Sequence, residues 1–142
     1  EYVAIDNNDE LIKFNKKKYE HLDVNFMSLD ITKENLPRAD VCVLRQVLQH
    51  LSNDAIQNFL SLNINKFKYI ILTEHLPDAK NFTPNIDMPT SSFVRVDKNS
   101  GVVLTEPPFN LKVVKIIDLC DLTSKKITNF RGRLNTKILQ LF

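Results

Sequence analysis

The chain has 142 residues, of which 43% are hydrophobic and 25% charged, and a formal net charge of +2. This length and composition predict one globular domain with a sizeable core and exclude two domains of ordinary size. The near balance of 19 basic and 17 acidic residues argues against a nucleic acid or an anionic membrane surface as partner. No apolar run approaches the roughly 20 residues that a membrane span needs.

Short apolar runs alternate with helical patterns in the first half of the chain. Residues 2–5 predict a strand, and Asp6, Asn7 and Asn8 after it form a cluster typical of a helix N-terminus. Ser52 is expected to cap a second helix. The predicted order is β-α-β-(α)-β-α-β, in which the helix in parentheses is present or absent. This alternation predicts an α/β fold on a mostly parallel sheet. The further strands are expected at residues 24–27, 41–44 and 68–73.

The second half of the chain begins with an irregular segment, residues 76–110, which holds five of the six prolines. Long irregular connections inside a compact domain are usually functional, so we expect an insertion that is a candidate substrate lid. Residues 112–120 and 136–142 then predict an antiparallel closing pair of strands. The first of these also fits a helical period, so a helix is the alternative there. A single domain over residues 1–142 is expected.

The two cysteines, Cys42 and Cys120, each lie in an apolar run typical of a strand. We expect both to be buried and unpaired, in a reducing compartment such as the cytoplasm. No Cys or His pair has the spacing of metal ligands, so no metal is expected.

Several predicted strands end in polar or acidic residues, namely Asp6, Asp30 and the pair Arg45 and Gln46. In open α/β sheets, ligands bind beyond the carboxyl ends of the strands. A carboxylate at such an end accepts hydrogen bonds from both hydroxyls of a ribose, and Asp30, one strand further out, suits an exocyclic amine such as that of adenine. These residues favour an adenosine-bearing ligand. The alternative for each acid is a plain helix-cap or turn residue.

The sequence around these strand ends resembles class I S-adenosylmethionine (SAM)-dependent methyltransferases. The second strand and following helix of that family resemble Y-V-A-I-D-N-N-D-E-L-I, the end of its third strand M-S-L-D-I, and its fourth strand with the exit loop A-D-V-C-V-L-R-Q-V-L-Q-H-L-S. The resemblance covers residues 2–73. It continues weakly through N-I-D-M, P-P-F-N and the last strand, which are similar to small bacterial methyltransferases of surface-sugar pathways.

The resemblance implies a Rossmann-like methyltransferase fold and a cytoplasmic enzyme. Its cofactor would be SAM, with S-adenosylhomocysteine (SAH) as product, and the acceptor a small molecule or sugar, most simply at a hydroxyl group. Asp6 would bind the ribose hydroxyls and Asp30 the adenine amine. Arg45 and Gln46 would border the methionine end of SAM. The flanking cofactor-binding residues would be Asn7, Leu29 and Ile31.

Methyl transfer requires a positioned acceptor and, for some acceptors, a base that removes a proton. His50, expected at the mouth of the site, is the first candidate base and His75 the second. Glu74 or Arg95 would orient the substrate. The alternative for His50 is a side chain that only caps backbone before Ser52.

The first strand and the glycine-rich loop of the family have no counterpart in the sequence. Gly101 and Gly132 are its only glycines, whereas the average usage of about 7% would give roughly ten. We therefore expect a fragment that lacks an N-terminal piece. Two alternative functions are a methyltransferase-like subunit that binds a partner without catalysis and, less favoured, a nicotinamide-dependent oxidoreductase, which also places an acid after its second strand.

Overall fold

The computed structural model describes residues 1–78, 81–123 and 132–142 of the chain. In these residues neither α-helix is long and apolar enough to cross a membrane. The short 3-10 helices are Leu48–His50, Ile64–Lys66 and Arg95–Lys98. The strands and α-helices, in chain order, are β1 (Tyr2–Asp6), α1 (Asp9–Lys18), β2 (Val24–Ser28), β3 (Val41–Arg45), α2 (Asn53–Asn63), β4 (Tyr69–Leu76), β5 (Lys115–Thr123) and β6 (Arg133–Gln140).

The first strand, helix and second strand form as the sequence predicts. β1 pairs in parallel with β2, and Asp6 lies opposite Ser28 at the carboxyl end of both strands. α1 begins after Asn8, whose side-chain oxygen accepts a hydrogen bond from the N–H of Leu11 at 3.1 Å. The helix has acidic residues in its first turn and lysines in its last, which complements the helix dipole. It buries Ile12.

α2 supplies much of the hydrophobic core beside the parallel pair β3–β4. The helix begins after Ser52, whose hydroxyl accepts a hydrogen bond from the N–H of Ala55 at 3.2 Å, so the predicted cap is confirmed. Ile56, Phe59 and Leu60 are buried because they recur at helical spacing on one face. Burying a side chain such as that of Phe59 stabilises the fold by about 1.5–3 kcal/mol. Other core members are Leu36, Leu44, Leu48, Ile70, Leu72, Val102, Leu104, Phe109 and Leu139.

The four-stranded sheet has the order β3-β4-β6-β5, with β6 antiparallel to both of its neighbours. The antiparallel closing pair is therefore confirmed, but the expectation of a mostly parallel sheet is wrong, because the sheet is mixed. The connection from β5 to β6 is shorter than the dozen or so residues that a parallel crossover needs, so the chain reverses direction. Residues 31–40, where a helix was optional, form turns and irregular backbone.

β5 is the edge strand of this sheet, and it resolves the choice between strand and helix in favour of the strand. Ile116 and Ile117, which point to opposite faces, are 43% and 40% exposed. An edge strand exposed on both faces lacks a clear period of two, which explains why its sequence also fits a helix.

Cys120 is exposed on this strand, so the expectation that it is buried is wrong. Cys42 is half-buried, burial raises the pKa of its thiol to about 12, and neither cysteine forms a disulfide.

Residues 81–110 are mostly irregular, with Arg95–Lys98 as their regular element. Residues 79–80 of the predicted insertion lie outside the described residues. Asn85 organises the segment: its backbone is left-handed (φ +57°), and its side chain both donates to the carbonyl and accepts from the N–H of Val103, each at 2.8 Å. Asparagine suits this position because it tolerates positive φ better than other residues with a Cβ.

Candidate functional site

A cavity of about 720 Å³ runs along the free edges of two strands from different sheets. Its lining includes every residue of β1 (Tyr2–Asp6) and residues 41–44 of β3. Successive side chains of a strand point to opposite faces of the sheet. Because consecutive residues of each strand line the cavity, the cavity must lie along the edge of the strand rather than on one face. Among the described residues, β1 pairs with β2 alone and β3 pairs with β4 alone, so each of the two strands has one free edge. Both edges thus present unpaired backbone groups to the cavity.

Asp6 and Asn7 line this cavity at the carboxyl end of β1. Oδ1 of Asp6 accepts a hydrogen bond from the N–H of Asn8 at 2.9 Å. Because Asn8 caps α1, Asp6 is not the helix cap, and its bond to the N–H of Asn8 is the turn role that the sequence offered as the alternative. The Asp6 carboxylate is half-buried beside the cavity, where it can accept hydrogen bonds from a ligand.

Asp30 lines the same cavity, flanked by the side chains of Leu29 and Ile31. Its Oδ1 accepts hydrogen bonds from the N–H and the hydroxyl of Thr32 at 2.9 and 2.7 Å, and its Oδ2 lies 2.9 Å from Nζ of Lys33. The ion pair with Lys33 and the Thr32 hydrogen bonds lower the pKa of Asp30 to about 2. The carboxylate is therefore ionised, and part of its accepting capacity already serves a local turn.

Arg45 is the last residue of β3 and Gln46 follows it, at the border of the cavity. Their neighbours Leu44 and Val47 line it, whereas they themselves do not. Gln46 has a left-handed backbone (φ +55°), and its N–H donates to the carbonyl of Thr73 at 2.8 Å. A residue other than glycine in this conformation is uncommon, and such positions cluster at functional sites.

His50 lies at the end of the turn that leaves β3, and the protein engages both of its ring nitrogens. Nδ1 is 3.1 Å from the carbonyl oxygen of Phe93, and Nε2 is 3.1 Å from the amide nitrogen of Gln49. The N–H of Ser91 donates to the backbone carbonyl of His50 at 3.0 Å. The turn and the irregular segment are thus joined through His50, in keeping with the backbone-binding alternative considered from the sequence.

Glu74 lies on β4 and is only 2% exposed. Burial raises the pKa of its carboxyl group to about 8. The nearby N–H groups of Leu48 and Gln49 and the guanidinium of Arg95 lower this pKa, but by less than burial raises it. A carboxyl group in this environment is mostly protonated at neutral pH. It lies outside the lining of the large cavity.

His75 and Arg95 are buried away from the cavity. His75 is 8% exposed and packs on Gly132, where a Cβ atom would lie 3.0 Å from Nε2 of the histidine. Arg95 is 1% exposed, and its two terminal nitrogens donate to the backbone carbonyls of Leu51 and Ile86. In this conformation the guanidinium of Arg95 is occupied by backbone carbonyls and lies away from the cavity. Its observed role is to fasten the irregular segment to the turn after β3.

Replacing Glu74 with glutamine should change how stability depends on pH. Between pH 4.5 and about 8 the folded protein keeps a proton on Glu74 that the unfolded chain has released. The unfolded state then binds fewer protons, so wild-type stability falls as the pH rises through this window. We expect Glu74→Gln to raise the thermal midpoint at pH 8 and to leave it nearly unchanged near pH 4.5. Glu20→Gln, at an exposed position, is the matched control, and parallel curves for wild type and Glu74→Gln would contradict the prediction.

Sequence reasoning assigned no role to three side chains that shape the candidate site. Thr32 and Lys33 engage the Asp30 carboxylate, and a threonine two residues after a strand-end aspartate is a turn signal that could have revealed the first of them. Gln49 contacts His50 and is 3% exposed. No local pattern distinguishes it from other glutamines, because its burial depends on the packing of distant segments.

No protein-family model matches the sequence, and no curated protein matches it in a sequence search. Solved structures do match the fold. TehB from Haemophilus influenzae superposes with a TM-score of 0.60 at 13% identity, over 99% of this chain and 49% of TehB. The N-terminal domain of EvdMO1 with SAH bound gives a TM-score of 0.62 at 12% identity, over 99% of this chain and 64% of that domain.

A third similar structure is the glycopeptide N-methyltransferase MtfA complexed with SAM. It has a TM-score of 0.57 at 7% identity, over 97% of this chain and 71% of MtfA. The chain thus has the fold of class I SAM-dependent methyltransferases, as its sequence resemblance implied. It spans about half of TehB and under two thirds of the EvdMO1 domain.

Proposed function

We propose that this chain binds SAM and takes part in methyl transfer to a small-molecule acceptor. One observation carries the proposal. The side chains at the carboxyl ends of β1 and β2, two adjacent parallel strands, line one cavity that is large enough for a nucleoside ligand. These residues are Asp6, Asn7, Leu29, Asp30 and Ile31.

The chemistry of these residues fits the adenosine part of SAM. The Asp6 carboxylate would accept hydrogen bonds from the ribose hydroxyls. Asp30, which stays ionised, would accept one from the adenine amine, while Leu29 and Ile31 would contact the apolar faces of the ring. SAM supplies an activated methyl group when bound. Arg45, at the border of the cavity, would face the methionine end.

The acceptor side would be formed by the turn after β3 and the irregular segment attached to it. We propose His50 as the group that takes a proton from a hydroxyl acceptor, most simply on a metabolite or sugar. His75 is a weaker second candidate because it is buried against Gly132. Glu74 and Arg95 would act on the substrate only indirectly, since both are buried.

Isothermal titration calorimetry with SAH tests the cofactor proposal. We expect binding of SAH and SAM with dissociation constants below about 1 mM, which corresponds to roughly 4 kcal/mol of binding free energy. NADH is the matched control ligand, because it shares the adenosine group but not the methionine end. Tighter binding of NADH than of SAH would favour an oxidoreductase. No binding of either ligand at millimolar concentration would favour a non-catalytic subunit and contradict the proposal.

A further inference from the structure

The hydrogen bonds around His50 determine which ring nitrogen carries the proton. Nδ1 faces the carbonyl oxygen of Phe93 at 3.1 Å, and a carbonyl oxygen can only accept. Nδ1 must therefore be the protonated nitrogen in the neutral ring. The lone pair then lies on Nε2, where the amide nitrogen of Gln49 donates to it at 3.1 Å. The two contacts are mutually consistent with a single tautomer.

Both partners of the ring are themselves held in place. Gln49 is only 3% exposed, so its side chain stays beside the ring and its amide can only turn in place. The backbone beside Phe93 is attached at two points. The N–H of Ser91 donates to the carbonyl of His50 at 3.0 Å, and the N–H of Phe93 donates to the hydroxyl of Ser91 at 3.2 Å. His50 therefore sits between two protein groups rather than rotating in solvent.

We propose that Gln49 is a positioning residue that, together with the Phe93 carbonyl, holds His50 as the Nδ1–H tautomer, with Nε2 as its basic nitrogen. This inference rests on the proposed function, in which His50 removes a proton from the acceptor. When the Gln49 amide turns away from Nε2, the acceptor hydroxyl takes its place, and the O–H proton of the acceptor passes to that nitrogen. The electron pair of the broken O–H bond stays on the acceptor oxygen, which becomes the nucleophile, and His50 becomes an imidazolium with two N–H groups.

A glutamine suits this position because its amide can serve both protonation states of the ring. Its nitrogen donates to the lone pair of the neutral ring, and its oxygen can accept from the Nε2–H of the imidazolium after the amide turns over. Oε1 of Gln49 is buried and has no hydrogen-bond partner in the described part of the chain. Turning the amide would therefore break no other hydrogen bond of that oxygen.

Nitrogen-15 NMR of the protein labelled on its histidine rings tests the inference directly. Where the His50 ring is neutral, we expect a protonated Nδ1 and an unprotonated Nε2. The His50→Asn variant assigns the signals among the three histidines. A dominant Nε2–H tautomer in the wild-type protein would overturn the proposal.

Two substitutions of Gln49 sharpen the test. Gln49→Leu removes the donor, so we expect the Nδ1–H population of His50 to fall. Gln49→Glu places a carboxylate at Nε2, so we expect both ring nitrogens to be protonated at a pH where the wild-type ring is neutral. Gln57→Leu, on the exposed face of α2, should leave the His50 signals unchanged. A neutral His50 in a folded Gln49→Glu variant would contradict the assigned contact.

The failure of this inference can be told apart from the failure of the proposed function. The NMR measurement needs neither cofactor nor acceptor, and it reports on the tautomer of His50 alone. Calorimetry of the wild-type protein with SAH reports on the cofactor site, which Gln49 does not line. Absent SAH binding refutes the proposed function, whereas a wrong tautomer refutes the role of Gln49.

Discussion

Replacing Arg95 with alanine is expected to lower the free energy of unfolding by about 3–5 kcal/mol. The guanidinium is 1% exposed and donates to the carbonyls of Leu51 and Ile86, which would lose a charged donor in a buried setting. The lost stem would also leave a cavity. Arg95→Lys should lose less stability than Arg95→Ala, because the ammonium group keeps the charge. It should still be less stable than the wild type, because an ammonium lacks the two terminal nitrogens that reach both carbonyls at once. Urea unfolding with linear extrapolation measures the change.

The control for this prediction is Arg38→Ala, since Arg38 is exposed. We expect that variant to stay within about 0.5 kcal/mol of the wild type. If Arg95→Ala changed the free energy of unfolding as little as Arg38→Ala does, the guanidinium would not be what attaches the irregular segment to the turn after β3. Loss of this attachment should also free the segment that carries Phe93 and so alter the His50 NMR signals.

Replacing Asp6 with asparagine is expected to weaken SAH binding by roughly 10- to 100-fold, the loss of one strong, charge-assisted hydrogen-bonding group. Asparagine keeps an oxygen that can accept the N–H of Asn8, so the local turn is preserved. The amide nitrogen of asparagine replaces the second carboxylate oxygen, and this nitrogen cannot accept a hydrogen bond from a ribose hydroxyl. Calorimetry with SAH measures the effect, and thermal unfolding verifies that the variant is folded.

Three variants delimit the role of Asp6. Asp9→Asn, on the exposed first turn of α1, should bind SAH like the wild type. Asp30→Asn should have a smaller effect than Asp6→Asn, because Thr32 and Lys33 already use part of the Asp30 carboxylate. His50→Ala should leave SAH affinity unchanged. Equal losses for Asp6→Asn and His50→Ala would show that the division between cofactor and acceptor sides is wrong.

Local sequence patterns located most elements of this fold closely. The strand expected at residues 24–27 is found as Val24–Ser28, and that at residues 41–44 as Val41–Arg45. Short apolar runs bounded by turn residues, and a serine that can cap a helix, specify such elements without help from distant residues. The strand expected at residues 68–73 extends further, to Leu76, because β6 continues to pair with it.

The candidate site was predictable where it depends on strand ends and unpredictable where it depends on packing. Asp6 ends β1 and Asp30 lies two residues after β2, so the parallel pairing of these strands alone brings both acids to one edge of the sheet. Glu74 and Arg95 looked like equally good polar candidates in the sequence. Their burial arises from the way the irregular segment folds over the turn after β3, and no local pattern encodes such a long-range contact.

The sequence by itself therefore determined the positions of the first four strands, the caps of both helices within a residue or two, and the acids at the strand ends. These features depend on backbone conformation and hydrogen bonds between residues close in the chain. Only the tertiary structure decided the place of β6 between β4 and β5, the exposure of Cys120, the attachment made by Arg95 and the contacts of both ring nitrogens of His50. Each of these depends on which distant segments meet, because pairing partners and burial are properties of the folded chain as a whole.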